Sequence, residues 1–417
     1  MSKKITYLLG AGASANAIPV VAYMNKRILE IISYIEARGN SRVVKECLTT
    51  LGVEINDYDR LFKDITEELR WLQQESVDYY SIDTLAKRYY LTEDDRYMRL
   101  KKALILYFTF EQYLNVFAQN DANEYQFKKS QIDKRYGNFI AAIANKKYPI
   151  SGSNHNGLDA SSLGFELNRN VKILSWNYDV QFELSLKQFT GTIIQHLKPN
   201  FQIFPHRKVL YDTNRVAFDT GRFGMVKLNG DAVWHRLIDY KYNCSILDAT
   251  QAKNEDELLA EFIKEYRHSD LRLDKGEHIR PHHYFNFAWE ADPNFRGKYQ
   301  QHSENLEMAQ KIARETQVLV VIGYSFPIFN RLIDGKLFEQ MEDLEKVYVQ
   351  DPNPDKIKST MLNAFERLQK QVVVNSIGNP IGDYLGDSPG VKLRDKVTFQ
   401  LEANTGQFIV PFELNLD

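Results

Sequence analysis

The feature that most constrains this chain is a set of short apolar runs that do not alternate. Lys4–Leu9, Val171–Ser175, Gly224–Leu228, Gln317–Ile322 and Val347–Gln350 are each mainly apolar over successive positions. A strand with one wet face alternates strictly. Runs of this kind need cover on both faces, which a parallel sheet with crossover helices supplies. Two helical stripes lie where such crossovers belong: Leu306, Ala309, Ile312 and Ala313 before the Gln317 run, and Ile357, Met361, Phe365 and Leu368 after the Val347 run. The pattern predicts an α/β fold, a Rossmann-like doubly wound parallel sheet. Val372–Val374 is a further candidate strand.

Residues from about 20 to 170 break this rhythm. Tyr58, Leu61, Phe62, Ile65, Leu69 and Leu72 recur at helical spacing, and Leu100–Phe117 and Asn138–Asn145 read as further helices. This predicts a large helical insertion, its aromatic stripes serving as core or as a lid or oligomer interface. Between about 236 and 300 the chain is polar and irregular apart from a helix over Glu255–Arg267, and is read as a cover near the site. The α/β domain is expected to span 1–383. The alternating runs Val397-Thr398-Phe399 and Phe408-Ile409-Val410 predict a terminal hairpin in a β-rich extension over 384–417.

Composition excludes several classes. A formal net charge of -2 over 417 residues gives no global field for nucleic acid or a membrane surface. No run reaches the roughly 18 apolar residues of a membrane span, and no signal peptide is read at the start, so a cytoplasmic protein is expected. The two cysteines, Cys47 and Cys244, exclude a disulfide framework and a four-cysteine zinc site. His282-His283 and the pair His196 and His206 lack metal-ligand spacing, so no metal is expected. No Gly-Lys-Ser or Gly-Lys-Thr occurs, which argues against P-loop phosphoryl transfer.

Chemistry-bearing residues gather where the apolar runs end. The first run stops at Gly10-Ala11-Gly12-Ala13-Ser14-Ala15-Asn16. Gly10 and Gly12 can take positive φ and leave room for a pyrophosphate, with N–H groups of a following helix aimed at it. Ser14 can donate to a ligand or cap that helix. Tight packing alone would also call for such glycines. The second run ends in Ser175-Trp176-Asn177-Tyr178-Asp179, placing Asn177 outside the carboxyl end of a strand, where open α/β sheets bind ligands. An amide there can hold water or a ribose hydroxyl. Asp179 can orient partners or stabilise positive charge. Alternatively, both residues simply cap the helix beginning near Val180. Met225–Asp231, Val321–Pro327 and Val349–Pro354 are polar strand ends of the same kind.

Taken together and in this order, these motifs resemble the sirtuin-like family, in its bacterial NAD-consuming branch. Gly10-Ala11-Gly12-Ala13-Ser14 resembles the family's turn on the NAD pyrophosphate. Ser175-Trp176-Asn177-Tyr178-Asp179 resembles its Thr-x-Asn-Tyr/Ile-Asp motif, Lys227-Leu228-Asn229-Gly230 its Lys-Leu-His-Gly motif, and Gly323-Tyr324-Ser325-Phe326 its late glycine turn. Asp351-Pro352-Asn353 falls where the family meets the adenosine ribose, and Ser81-Ile82-Asp83-Thr84-Leu85 resembles a segment of the helical insert. The resemblance covers most of residues 1–375. It implies hydrolysis of NAD+ to nicotinamide and ADP-ribose, in an antiphage-defence effector that depletes NAD. Asn177, Asp179, Asn229 and His235 would line the reacting end. Gly10, Ala11, Gly12, Ala13, Ser14, Asn16 and Ser175 would hold the pyrophosphate side, with Gly323, Tyr324, Ser325, Asp351 and Asn353 on the adenosine side. The resemblance further implies a homo-oligomer gated by a separate partner, such as a HerA-type ATPase or an Argonaute-like protein.

Two departures shape the expectation. The family's catalytic histidine falls on Asn229, and an amide is no general base near neutral pH. Water held by Asn177 can suffice, or His235, His196 or His206 reaches the pocket, or the site binds NAD+ or a derivative without consuming it. The four zinc cysteines of the protein deacylases are also missing, which argues against deacetylation. An ordinary dehydrogenase ranks last, because the third glycine of the dinucleotide fingerprint is Ala15.

Overall fold

A computed structural model describes residues 2–39, 41–79, 81–113, 132–146, 164–192, 201–205, 218–233, 235–238, 242–245, 254–268, 285–291, 300–365 and 397–414. Strand β1 (Ile5–Leu9) leads into a short 3-10 turn over Ala11–Ser14. Helices α1 (Val21–Gly39), α2 (Arg42–Thr50), α3 (Ile55–Ser76), α4 (Ile82–Leu91), α5 (Arg96–Tyr113) and α6 (Lys134–Ile143) follow, with a small antiparallel pair, β2 (Ala144–Lys146) and β3 (Phe165–Leu167). The sheet resumes with β4 (Val171–Ser175), α7 (Gln181–Thr190), β5 (Ile203–Phe204) and β6 (Gly224–Lys227). A second antiparallel pair, β7 (His235–Ile238) and β8 (Tyr242–Ser245), precedes α8 (Glu255–His268) and α9 (Gln300–Glu315). Then come β9 (Val318–Ile322), α10 (Arg331–Gln340), β10 (Lys346–Gln350), α11 (Pro354–Ala364) and β11 (Thr398–Glu402).

Seven strands form one sheet in the order β11-β10-β9-β1-β4-β6-β5, and every pairing is parallel. The chain is thus an α/β protein with a Rossmann-like sheet and helical insertions. The non-alternating strands are explained by their two faces. Ile5, Tyr7 and Leu9 enter the core shared with α6 and α7, while Leu8, Leu174, Val226, Val321 and Val349 enter the core shared with α9, α10 and α11. Each such aliphatic side chain contributes about 1.5–3 kcal/mol by leaving water.

After β1 the chain adds β4 beside it, then the edge strand β5, and then β6 between those two. After β6 the chain returns across β1 and adds β9, β10 and β11 on the other side. The order therefore reverses between β1 and β9, the kind of place where open α/β sheets form a crevice. The helical lobe stands over this edge. Helices α1–α5 and α8 share a core that takes in Val180, just past β4, and Ala232 and Val233, just past β6.

Three expectations need correction. No α-helix follows the glycine turn directly, since α1 begins only at Val21. The terminal hairpin is not formed: Thr398–Glu402 is an edge strand parallel to β10, and Phe408–Val410 is not a strand. Its alternation is that of a half-covered edge, which a hairpin strand shares. The third expected insert helix stops at Ile143, where β2 begins. Val372–Val374, Leu368, residues 114–117 and the pair His282-His283 lie outside the described residues.

Candidate functional site

The carboxyl edge is built by strand alternation. At the end of β4, Trp176 and Asn177 point to opposite faces. Asn177 is 6% exposed and donates through Nδ2 to Ser14 Oγ at 3.3 Å, joining the β4 end to the turn after β1. Its own N–H donates to Ser175 Oγ at 3.2 Å. Ser14 Oγ also lies 3.1 Å from the Tyr136 hydroxyl of α6 and hydrogen-bonds the Asp179 carboxylate. Ser14 is therefore the hub of Asn177, Asp179 and Tyr136.

Asp179 plays two parts. Its Oδ1 accepts the Gln181 N–H at 3.0 Å, the local turn that a purely structural role would give. Burial raises its pKa above the usual carboxylate value, against the Gln181 N–H, Lys227 and Ser14, which favour the charged form. Tyr136 is held protonated, first by burial and then by the charge of Asp179. Asn177, by contrast, makes no cap and spends its amide on Ser14.

Below them lies a buried cation. Lys227 Nζ donates to Asp179 O at 2.5 Å and to Glu183 Oε1 at 3.1 Å, and Asp231 Oδ2 is 3.7 Å away. Asn229, two residues on, is 3% exposed. Its backbone carbonyl accepts the Asn286 N–H at 2.8 Å and its amide reaches the Tyr178 hydroxyl, but its Oδ1 has no hydrogen-bond partner. A buried acceptor left without a donor costs about 1–3 kcal/mol.

The glycine turn works differently from the expectation. Positive φ among described glycines occurs at Gly52, Gly191, Gly230 and Gly323, not at Gly10 or Gly12. Gly10 and Gly12 are needed for contact. A Cβ on Gly10 would lie 2.6 Å from the Gly323 carbonyl oxygen, and one on Gly12 2.7 Å from Gly323 Cα. The Gly12 N–H donates to Gly323 O at 3.0 Å and the Ala13 N–H to Gly10 O at 2.9 Å. The first bond ties the turn after β1 to the turn after β9, the second closes the β1 turn on itself, and neither amide is presented to a phosphate. Arg135 braces the same turn, donating to Gly12 O at 3.2 Å, Ala13 O at 3.1 Å and Thr405 O at 3.1 Å while paired with Asp133 at 2.6 Å.

The remaining expected residues are spread along the edge. Ala11 and Asn16 are exposed, and the Asn16 N–H donates to Asp133 Oδ2 at 3.3 Å. Ser325 is exposed at the end of β9, whereas Tyr324 is buried, donating to Asp334 Oδ2 at 2.7 Å. Asp351 accepts the Asn353 N–H at 2.9 Å, and Asn353 caps α11. These two lie three strands from β4, about 14 Å at the usual strand spacing. They do not join the Ser14 cluster. His235 opens β7, and its side chain lies outside the described residues, as do His196 and His206.

Tyr136, Asp133, Arg135 and Glu183 belong to the site and carry no motif. Lys227 lay inside a quoted motif without being singled out. No group of three or more potential metal ligands occurs among the described residues, and no described helix is long and apolar enough to cross a membrane. No protein-family model matches the chain, and no curated protein matches it.

Proposed function

We propose that this protein is an NAD+ glycohydrolase. The observation that carries the reading is the meeting of Ser14, from the glycine turn after β1, with Asn177 and Asp179, from the end of β4, beside the point where strand order reverses. Asn177 holds the attacking water. As that water adds to ribose C1′, the C–N glycosidic bond breaks and its electron pair leaves with neutral nicotinamide. The water proton passes to Asp179, whose proton affinity burial has raised. This route asks nothing of Asn229 as a base. On this reading the protein is a cytoplasmic, oligomeric antiphage effector that depletes NAD, gated by a separate partner such as a HerA-type ATPase.

A second reading is a module that senses NAD+ or an ADP-ribose derivative without consuming it. It is favoured by the amide at Asn229 and by the engagement of the Gly12 and Ala13 N–H groups within the protein. One experiment separates the two. Purified protein and Asn177→Ala are incubated with NAD+, free nicotinamide is followed, and melting is recorded with and without NAD+. Hydrolysis predicts nicotinamide release that the variant loses while its melting temperature falls by only a few degrees, as a loss of about 1 kcal/mol gives. Sensing predicts stabilisation by NAD+, as mass action requires, with no release either from the purified protein or after infected-cell lysate is added; a gated enzyme assayed without its partner shares the first result and gains release with the lysate. Release by Asn177→Ala at the wild-type rate overturns the assignment.

A further inference from the structure

A serine at the end of the glycine turn is expected to meet a phosphate, yet the protein itself uses the Ser14 hydroxyl in full. Ser14 is 1% exposed, more deeply buried than Asn177 or Asp179. Among the described residues, three groups meet its Oγ. Asn177 Nδ2 lies at 3.3 Å, the Tyr136 hydroxyl lies at 3.1 Å, and the Asp179 carboxylate is the third. A hydroxyl has one proton and two lone pairs, and an amide nitrogen can only donate. Asp179, ionised as the base of the reaction must be, can only accept. Asn177 therefore fills one lone pair of Ser14, and the Ser14 proton goes to Asp179. The Tyr136 hydroxyl must then donate into the second lone pair. All three positions on Ser14 Oγ are taken, and none is left for a ligand.

The main chain around Ser14 is held from the same place, the start of α6. Arg135 donates to Gly12 O and Ala13 O, just before Ser14, and Asp133 Oδ2 accepts the Asn16 N–H, just after it. Asp133 is also the N-cap of α6. Gln181 joins this helix start to the end of β4. Its Oε1 accepts the Asp133 N–H at 2.9 Å, while its own N–H donates to Asp179 Oδ1 at 3.0 Å. One helix start thus fixes Ser14 and Asp179 in a single frame.

We infer that Ser14 and Tyr136 are positioning residues and not substrate contacts: Tyr136 locks the direction of the Ser14 hydroxyl, and Ser14 locks the Asn177 amide so that Oδ1 is the atom kept for the attacking water. This rests on the hydrolase reading and adds the means by which its water is held. Without the Tyr136 donor, the Ser14 proton can turn from Asp179 towards the vacated side. Without Ser14, the Asn177 amide loses the acceptor that sets its orientation. A misplaced water slows the reaction and leaves substrate binding intact, so both losses act on kcat and spare KM. A serine that held the pyrophosphate would do the opposite, and its loss would raise KM.

The test is steady-state nicotinamide release from NAD+ by the full-length wild type, Ser14→Ala, Tyr136→Phe, the double variant and Phe139→Leu, each with infected-cell lysate added and each checked for folding by circular dichroism. Phe139 packs from the same helix on Tyr7 and Phe408, so its variant measures core damage alone. Ser14→Ala is expected to lower kcat about tenfold and Tyr136→Phe about fivefold, each with KM within about twofold of wild type. The double variant is expected to be no slower than Ser14→Ala, since Tyr136 acts through Ser14. Phe139→Leu is expected to melt earlier and keep both constants. A raised KM at unchanged kcat in Ser14→Ala, a wild-type kcat in Tyr136→Phe, losses that multiply in the double variant, or an equal loss of kcat in Phe139→Leu overturns the inference and leaves the hydrolase reading standing. Wild type that releases no nicotinamide overturns that reading, and the inference with it.

Discussion

The two faces of the β4 end differ in how they treat a buried carboxylate. On one side, Trp176 Nε1 donates to Asp334 Oδ1 at 3.0 Å, the Tyr324 hydroxyl donates to Asp334 Oδ2 at 2.7 Å, and Asn330 Nδ2 donates to the Tyr324 hydroxyl at 3.0 Å. The indole and phenol rings stack with centroids 6.2 Å apart. That network is closed, and among the described residues it holds no cation. Burial pushes Asp334 up to about 7. On the other side, Asn177, Ser14, Asp179 and Tyr136 stand beside the cation of Lys227, and two acceptors, Asn229 Oδ1 and Glu183 Oε2, remain without partners. The closed face is architecture. The unfinished face is where a ligand's own donors would complete the network.

The largest effect should come from removing the cation beneath the unfinished face. Lys227→Met leaves Glu183 and Asp231 buried without it, and a loss of about 3–5 kcal/mol is expected in urea unfolding. A variant as stable as wild type would mean that the ion pairs contribute little. Next, Asn177→Ala should lower nicotinamide release by about 100-fold or more, as loss of a positioned catalytic donor does. It should disturb stability by only about 1 kcal/mol, the worth of its bond to Ser14. Its neighbour in sequence should behave in the opposite way. Trp176→Phe deprives Asp334 Oδ1 of its donor and should cost about 1–3 kcal/mol of stability, while nicotinamide release stays near wild type. Equal damage to release from both variants would erase the distinction between the faces.

The most gradual effect is a pH dependence, spread over about three pH units. Asp334 holds its proton in the folded protein up to about 7 and loses it near 3.8 when unfolded. The folded state thus binds the extra proton between these values. The stability Asp334 supplies is whole below about pH 4 and is lost as pH rises towards 7, at up to about 1.4 kcal/mol per unit. Asp334→Asn should flatten the wild-type slope across that window. Identical slopes would show that Asp334 is ionised throughout.

The sheet was legible in the sequence because burial on both faces leaves an unbroken apolar run, as in Val318–Ile322. Ser14, Asn177 and Asp179 were legible because a strand end is where such side chains meet a crevice. Tyr136 was not. It lies on α6, 122 residues from the Ser14 it touches, and its own helix gives it an ordinary core position. Asp334 reads in sequence as a solvated helix charge, and its partners Tyr324, ten residues away, and Trp176, 158 residues away, reveal that it is buried. The tail misled for a similar reason: the alternation of Val397–Phe399 records a half-covered edge without saying which partner lies beside it.

The Arg135 brace has a consequence for how the protein is made. The guanidinium that steadies Gly12 O and Ala13 O also needs the carbonyl of Thr405, and Phe408 sets its ring against Tyr136 with centroids 5.0 Å apart. The turn after β1 is therefore locked only once a segment near the far end of the described residues is in place. Until residue 405 has been translated, the nascent chain carries Ser14 and Asn177 without the strut that fixes their meeting.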